Sequence, residues 1–384
     1  VSTDLLDVNL LQRVDSFAQR QPYRVAEYGR RSWGHPLHSL CSYQGKMKPS
    51  LAHWIIRSFT DPSDVVVDPL AGVGTIPFEA ALLGRRAIAN DLSPLAATVA
   101  EAKINPPTQN DAFGALESLR MAMDEAELTP EDTAAADFGL NASVRDYFHP
   151  QTLDELLRAR RVFLNGKLTD RGANFVWASL LHVLHGNRPY ALSRNSHPIT
   201  PFRPTGAFEY RGVIDRIGAR IQRALATPLP ESFIPGTGFQ GDFRNVPTTV
   251  GGTRFADAIV TSPPFLGMRF DRPNWLRLWF CGWQESDFSQ TSQQFLERQQ
   301  TKTLDVYSDF YDMCDRSLTD NGIIIVHVGS GKSDRLVRVL RTLAEPRFRI
   351  VGETVEGVAE LEQHGLSDKG GLTTAHHLLF LRRR

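Results

Sequence analysis

An α/β fold built on a doubly wound, mostly parallel sheet is what this 384-residue sequence predicts, and three observations carry the prediction. Short apolar or β-branched runs, such as Val65-Val-Val67 and Ala256 to Val260, alternate with helical stretches, the pattern of repeated strand and helix units. The first run leads into Asp68-Pro-Leu-Ala-Gly72-Val-Gly74-Thr75 and an apolar helix from Ile76 to Leu83, a turn whose glycines let the backbone approach a ligand closely. The second ends in Thr261-Ser-Pro-Pro-Phe265, where two prolines take the chain rigidly out of the strand.

Composition narrows the class. A hydrophobic content of 41% with 22% charged residues is ordinary for a soluble globular chain. No apolar run approaches the roughly 18 residues of a membrane span, and the polar opening Val1 to Asn9 lacks the features of a signal peptide. A cytoplasmic protein without a membrane partner is expected. Cys41, Cys281 and Cys314 are widely spaced and form no CxxC, so neither a disulfide framework nor a metal site is expected. Zero net charge hides a segregation: residues 103–150 carry 3 basic and 9 acidic side chains, and residues 151–223 carry 12 basic and 5 acidic, an excess of 12 − 5 = +7. The second stretch is either a docking face for a polyanion or a solvated Arg-rich surface.

In chain order, residues 1–34 read as an irregular or weakly helical arm with Leu5, Leu6, Leu10 and Leu11 as docking contacts. The polar loop His38 to Ser50, containing Tyr43 and Lys46, precedes a helix from Leu51 to Phe59 with Ser50 as its cap. Arg86 to Ala89 is the second strand and ends in Asn90-Asp91-Leu92, an acid about 20 positions after the glycines, suited to ribose hydroxyls. Position 77 is Pro, so the third glycine of a dinucleotide fingerprint is missing. A helix from Pro94 to Ile104 closes the first part of a catalytic domain assigned to residues 35–104 and 233–384.

Residues 105–232 depart from the pattern and read as an inserted, largely helical target-recognition region, with helices near 151–164, 171–186 and 208–225. The long polar loop from His185 to Pro201 offers Arg188, Arg194 and His197 to a nucleic acid. His182 and His185 share a helical spacing but lack a carboxylate or Cys pair, so a structural role is expected of them. Phe239-Gln-Gly241-Asp242 resumes the sheet, its carboxylate placed to accept from an adenine amine. Beyond the prolines, Arg269, Arg272, Arg277, Trp275, Trp279 and Trp283 lie within Met268 to Trp283 and suit either phosphate contact and base stacking or one core face. The remainder alternates: helix Tyr307 to Leu318, strand Gly322 to Val328, helix Ser333 to Leu343, strand Arg347 to Thr354 and strand His377 to Arg382.

Ser262, Pro263, Pro264 and Phe265 carry the chemistry. The Ser hydroxyl and outward-facing Ser and Pro carbonyls can hold an exocyclic amine, and Phe265 can stack on the ring that bears it; the bland alternative is a proline turn with Phe265 in the core.

Together these motifs resemble the S-adenosylmethionine-dependent amino-methyltransferases of DNA, from about residue 35 to the C-terminus. The resemblance implies a Rossmann-like methyltransferase sheet with S-adenosylmethionine as cofactor, held by Tyr43, Lys46, Asp68, Pro69, Ala71, Gly72, Gly74, Thr75, Asp91, Leu92 and Asp242. Ser262-Pro-Pro-Phe265 matches the catalytic tetrapeptide, with Phe where Tyr is commoner. Ser at its first position implies N4 of cytosine over N6 of adenine, and a double-stranded DNA partner whose base is flipped out. Arg188, Arg194, His197, Arg269, Arg272 and Trp275 are the expected nucleic-acid contacts, in a monomer or dimer of restriction-modification type. The cofactor half is also similar to RNA guanine amine methyltransferases, which makes RNA the lesser alternative. A non-enzymatic nucleic-acid-binding module is the third reading.

Overall fold

The computed structural model describes residues 3–30, 32–331, 334–357 and 373–384. Among the described residues seven strands form one sheet: β1 Val65–Asp68, β2 Arg86–Asp91, β3 Thr237–Gln240, β4 Ala256–Thr261, β5 Leu318–Ser330, β6 Phe348–Gly357 and β7 Ala375–Arg383, in the spatial order β3-β2-β1-β4-β5-β7-β6. Neighbours from β3 to β5 are parallel, and β7 runs antiparallel between β5 and β6. This is the predicted doubly wound, Rossmann-like sheet, with the reversal of β7 added. Strand order changes direction between β1 and β4, and such a switch point opens a crevice at the carboxyl ends of the strands.

Two-residue alternation in the strands builds a core on each face. Val67, Ile259, Ile324 and Val326 face the helices Val306–Ser317 and Arg335–Ala344, where Tyr307, Phe310, Leu336 and Leu340 are buried. Ser333, the expected start of the latter helix, lies outside the described residues. Val66, Ala258, Val260 and Ile325 face the other way, against α1 Thr3–Arg20, α2 Pro49–Phe59 and α3 Thr75–Leu82.

The expected weak arm is therefore a full helix. Leu10, Val14 and Phe17, spaced at 3 to 4 residues, are buried, while Leu5 and Leu11 are exposed. Ser50 does not cap α2; Lys48 holds that position, and the Ser50 hydroxyl donates to the carbonyl of Tyr23.

Residues 105–232 do supply helices, Gln109–Glu125, Pro150–Leu164, Arg171–Val183 and Val213–Ala224 chief among them. They share one continuous apolar core with α4 Pro94–Ile104 and with the short helix Trp275–Phe280. Burial decides the tryptophan question in that core: Trp275, Trp279 and Trp283 are all buried. No helix among the described residues is long and apolar enough to cross a membrane.

Candidate active site

The crevice at the β1/β4 switch point is a cleft of about 890 Å³. Its wall joins the turn after β1, the ends of β2 and β3, the loop before α2 and the Ser262–Phe265 segment after β4. The sheet accounts for that convergence, because β1, β2, β3 and β4 are parallel and deliver their carboxyl ends to one edge.

The glycine turn is held from several sides. Gly72 and Gly74 both have positive φ, +52° and +71°. The two glycines serve different ends. A Cβ on Gly72 would meet only the Tyr43 ring at 3.9 Å, on the cleft side, whereas one on Gly74 would strike Ala100 of α4 at 2.8 Å. Gly72 lines the cleft and Gly74 does not, so the second glycine is required for helix packing rather than for ligand approach. Buried Lys103 donates to the carbonyl of Val73 at 2.5 Å, and buried Asn90 bridges the carbonyls of Pro69 and Gly241, fastening the turn to the end of β3.

Asp68 and Asp91 flank this turn. The Asp68 carboxylate accepts from Thr261 Oγ1 at 2.7 Å, tying the end of β1 to the residue before Ser262, and burial raises its pKa to about 7. Asp91 accepts from the backbone N–H groups of Gly72 (2.8 Å) and Ser93 (2.9 Å), and burial raises its pKa to about 6 against those bonds. Asp242 lines the cleft but is ion-paired to Arg244. Tyr43, Lys46, Pro69, Ala71, Thr75 and Leu92 also line it. Tyr43 stacks on Phe270 at 5.6 Å and Lys46 donates to the carbonyl of His38.

Such a wall fits S-adenosylmethionine. The Gly72 backbone leaves room that a side chain would narrow, the carboxyls of buried Asp68 and half-buried Asp91 line the cleft and suit a cationic group, and Thr75 Oγ1 is buried without a partner among the described residues.

At the end of β4, next to β1, Ser262 Oγ lies 3.0 Å from His327 Nδ1. Pro264 is not a free acceptor, because Gln300 Nε2 donates to its carbonyl at 3.1 Å. Phe265 lies over Gly329 and against the rings of His327 and His376, half-buried and lining the cleft. His327 and His376, from adjacent strands, went unsuggested by the sequence, as did Glu297, a cleft carboxyl raised to about 7 by burial. His327 alone carried a signal, a polar residue within the apolar run of β5; His376 beside His377 and Glu297 in the polar helix Leu296–Lys302 carried none.

The expected nucleic-acid contacts divide. His197 and Arg269 line the cleft, Arg269 being paired to buried Asp271. Arg188 is exposed and Arg272 is exposed outside the wall. Arg194 is occupied structurally: it donates to the carbonyls of Gly206 and Asp146 and covers the ring of Phe208. Trp275 cannot meet a ligand, since it is wholly buried with Nε1 donating to the Pro201 carbonyl. Arg277 is a buried clamp on Leu181, Asn274 and Ser42.

Most of the basic excess in 151–223 is likewise engaged inside the fold; Arg160, Arg211, Arg216 and Arg220 all donate to backbone carbonyls. His182 stacks on Tyr190 and His185 meets the carbonyl of His197. No group of three or more potential metal ligands occurs among the described residues.

Residues 38–135 match the family described as RMKL-like, methyltransferase domain. The type II methyltransferase M.MjaII of Methanocaldococcus jannaschii is 29% identical over 68 residues, which is 18% of this chain and 13% of that protein. Trm5b from Pyrococcus abyssi shares 9% identity at a TM-score of 0.33, over 88% of this chain and 50% of its own. The rRNA methyltransferase aviRa from Streptomyces viridochromogenes shares 13% identity at a TM-score of 0.36, over 95% and 96%. The chain thus spans a small part of its curated relative and half of the Trm5b chain. The family model and the curated relative support an S-adenosylmethionine methyltransferase domain in this chain, with S-adenosylmethionine as its methyl donor.

Proposed function

We propose that the protein methylates the exocyclic amine of a flipped base in DNA, N4 of cytosine, and that residues 105–232 help choose the target. One observation supports this reading above others: the glycine turn with Asp91 and the Ser-Pro-Pro-Phe segment share a single cleft.

Bound S-adenosylmethionine supplies an electrophilic methyl group. Gly72, Asp91 and Tyr43 would hold it, with Asp242 beside Arg244 at the adenine end. The chain's own task is to present the amine. An exocyclic amine conjugated with its ring is a poor nucleophile, and acceptors at Ser262 draw its hydrogens so that the nitrogen moves toward tetrahedral geometry. Phe265 offers the ring against which a flipped base stacks, worth roughly 1 to 3 kcal/mol. Covalent attack by a thiol has no candidate, because Cys41, Cys281 and Cys314 all lie outside the cleft wall and burial raises the thiols of Cys281 and Cys314.

The test is mass spectrometry of nucleosides from DNA and from RNA incubated with the protein and methyl-labelled cofactor. N4-methylcytosine in DNA is the expected product. Label in methyladenine would move the target base, label confined to RNA guanine would move the substrate, and no label in either would refute the reading.

A further inference from the structure

We infer that Ser262, His327 and His376 form a proton relay that turns Ser262 into an acceptor and carries a proton out of the cleft. The inference rests on the proposed amine methylation and assigns the residues that serve it.

Two hydrogen bonds in series carry the argument. Ser262 Oγ is 3.0 Å from His327 Nδ1, and His327 Nε2 is 3.1 Å from His376 Nδ1. The two imidazole rings are parallel within 2°, with centroids 5.1 Å apart. This arrangement is imposed by the sheet: β5 and β7 pair antiparallel with His327 opposite Leu378 and Gly329 opposite His376, which brings the two rings together from 49 residues apart. Phe265 packs against both rings, over Gly329 where any side chain would strike it. His327 is 8% exposed and His376 half-buried, and both line the cleft. The titratable neighbours are His377, next in β7 and bonded to Glu353, and Glu356, opposite His376 on β6 and paired to Arg24.

A hydrogen bond between two neutral imidazoles requires one ring to donate and the other to accept. Burial holds His327 neutral, and the relay needs the tautomer in which its Nδ1 is bare and its Nε2–H donates to His376. The Ser262 hydroxyl then donates to His327, and its lone pairs remain for an amine N–H. Methyl transfer forms an N–C bond, breaks the donor's S–C bond and leaves the amine nitrogen with one proton in excess. That proton passes to Ser262 Oγ as the Ser262 proton passes to His327 Nδ1, and the His327 Nε2 proton passes to His376. The positive charge lost by the sulfonium ends on the His376 ring, nearer to water, and no oxidant or other co-reactant is needed.

Two measurements test the relay. In 15N-edited NMR of the parent, His327 Nδ1 should show the shift of an unprotonated, hydrogen-bonded nitrogen, and Ser262→Ala should move that signal. In methyl transfer, His327→Asn keeps an acceptor for Ser262 but cannot pass a proton on. Turnover should fall about 10- to 100-fold, the range of a lost acid–base group, with cofactor affinity and nucleic-acid KM near parental values. His376→Phe should fall alike, and the double variant should be no slower than either single one. A protonated His327 Nδ1 would overturn the relay even if the parent transfers no methyl group, an outcome that would refute the amine reading separately. Parental turnover in His327→Asn, or losses that multiply in the double variant, would also overturn it.

Discussion

Alanine at Gly72 and at Gly74 separates the ligand-facing glycine from the packing one. Both residues sit in the left-handed region, which costs an L side chain about 1 to 2 kcal/mol. At Gly74 the new Cβ would also stand 2.8 Å from Ala100 Cα and 2.9 Å from Ala100 Cβ, and α4 backbone cannot swing aside as a side chain tip can. Overpacking of this kind adds roughly 1 to 3 kcal/mol, so Gly74→Ala should cost about 2 to 5 kcal/mol in all. In a chain of this size, about 1.2 °C per kcal/mol gives a fall in Tm of roughly 2 to 6 °C. At Gly72 the nearest atom is 3.9 Å away, so only the conformational cost remains and Tm should fall by about 1 to 2.5 °C. Calorimetric titration with S-adenosylmethionine should rank the variants in the opposite order. The Gly72 methyl enters the cleft beside Tyr43 and should weaken binding at least tenfold, about 1.4 kcal/mol, while folded Gly74→Ala binds nearly as the parent does. If Gly74→Ala loses the cofactor at parental Tm, or Gly72→Ala binds normally, the division between the two glycines is wrong.

Asp91 gives a pH dependence with a definite sign. Its folded pKa is raised to about 6, so cofactor binding, which favours the ionised carboxylate, should strengthen as pH rises from 5 to 7 and then level off; Asp91→Asn should flatten that profile and lower affinity above pH 7. Asp68 is raised to about 7 by burial, and a raised carboxyl contributes stability below its unfolded pKa that is lost as pH climbs through the folded one. Asp68→Asn should therefore raise the Tm of the ligand-free protein at pH 8 relative to the parent and leave it nearly unchanged at pH 4. Arg194→Ala should lower Tm, since it removes bonds to Gly206 and Asp146, whereas Arg188→Ala should leave Tm alone and reduce the salt dependence of nucleic-acid binding; the reverse pattern in melts and salt titrations would refute both assignments.

What the sequence determined by itself was whatever is written in neighbouring residues. Val65-Val-Val67 and Ala256 to Val260 announced buried strands because burial on both faces demands apolar residues at nearly every position; Asp257 is the exception, and its carboxylate accepts from the N–H of Val65. The Asp68–Thr75 turn, Asp91 and Ser262–Phe265 pointed to one shared cleft because strand ends of a parallel sheet share one edge. Tertiary structure decided the rest, where one residue type serves two environments. Trp275 at helical spacing fits a core as well as a binding face, and only the packing of Phe138 and Tyr147 around it made it core. Arg194 carries the same charge free or bonded, and the carbonyls that capture it come from residues 12 and 48 positions away. Gly72 and Gly74 differ only in what stands beyond their missing side chains. His327 and His376 became partners through the antiparallel register of β5 and β7, a long-range pairing to which local sequence contributes almost nothing.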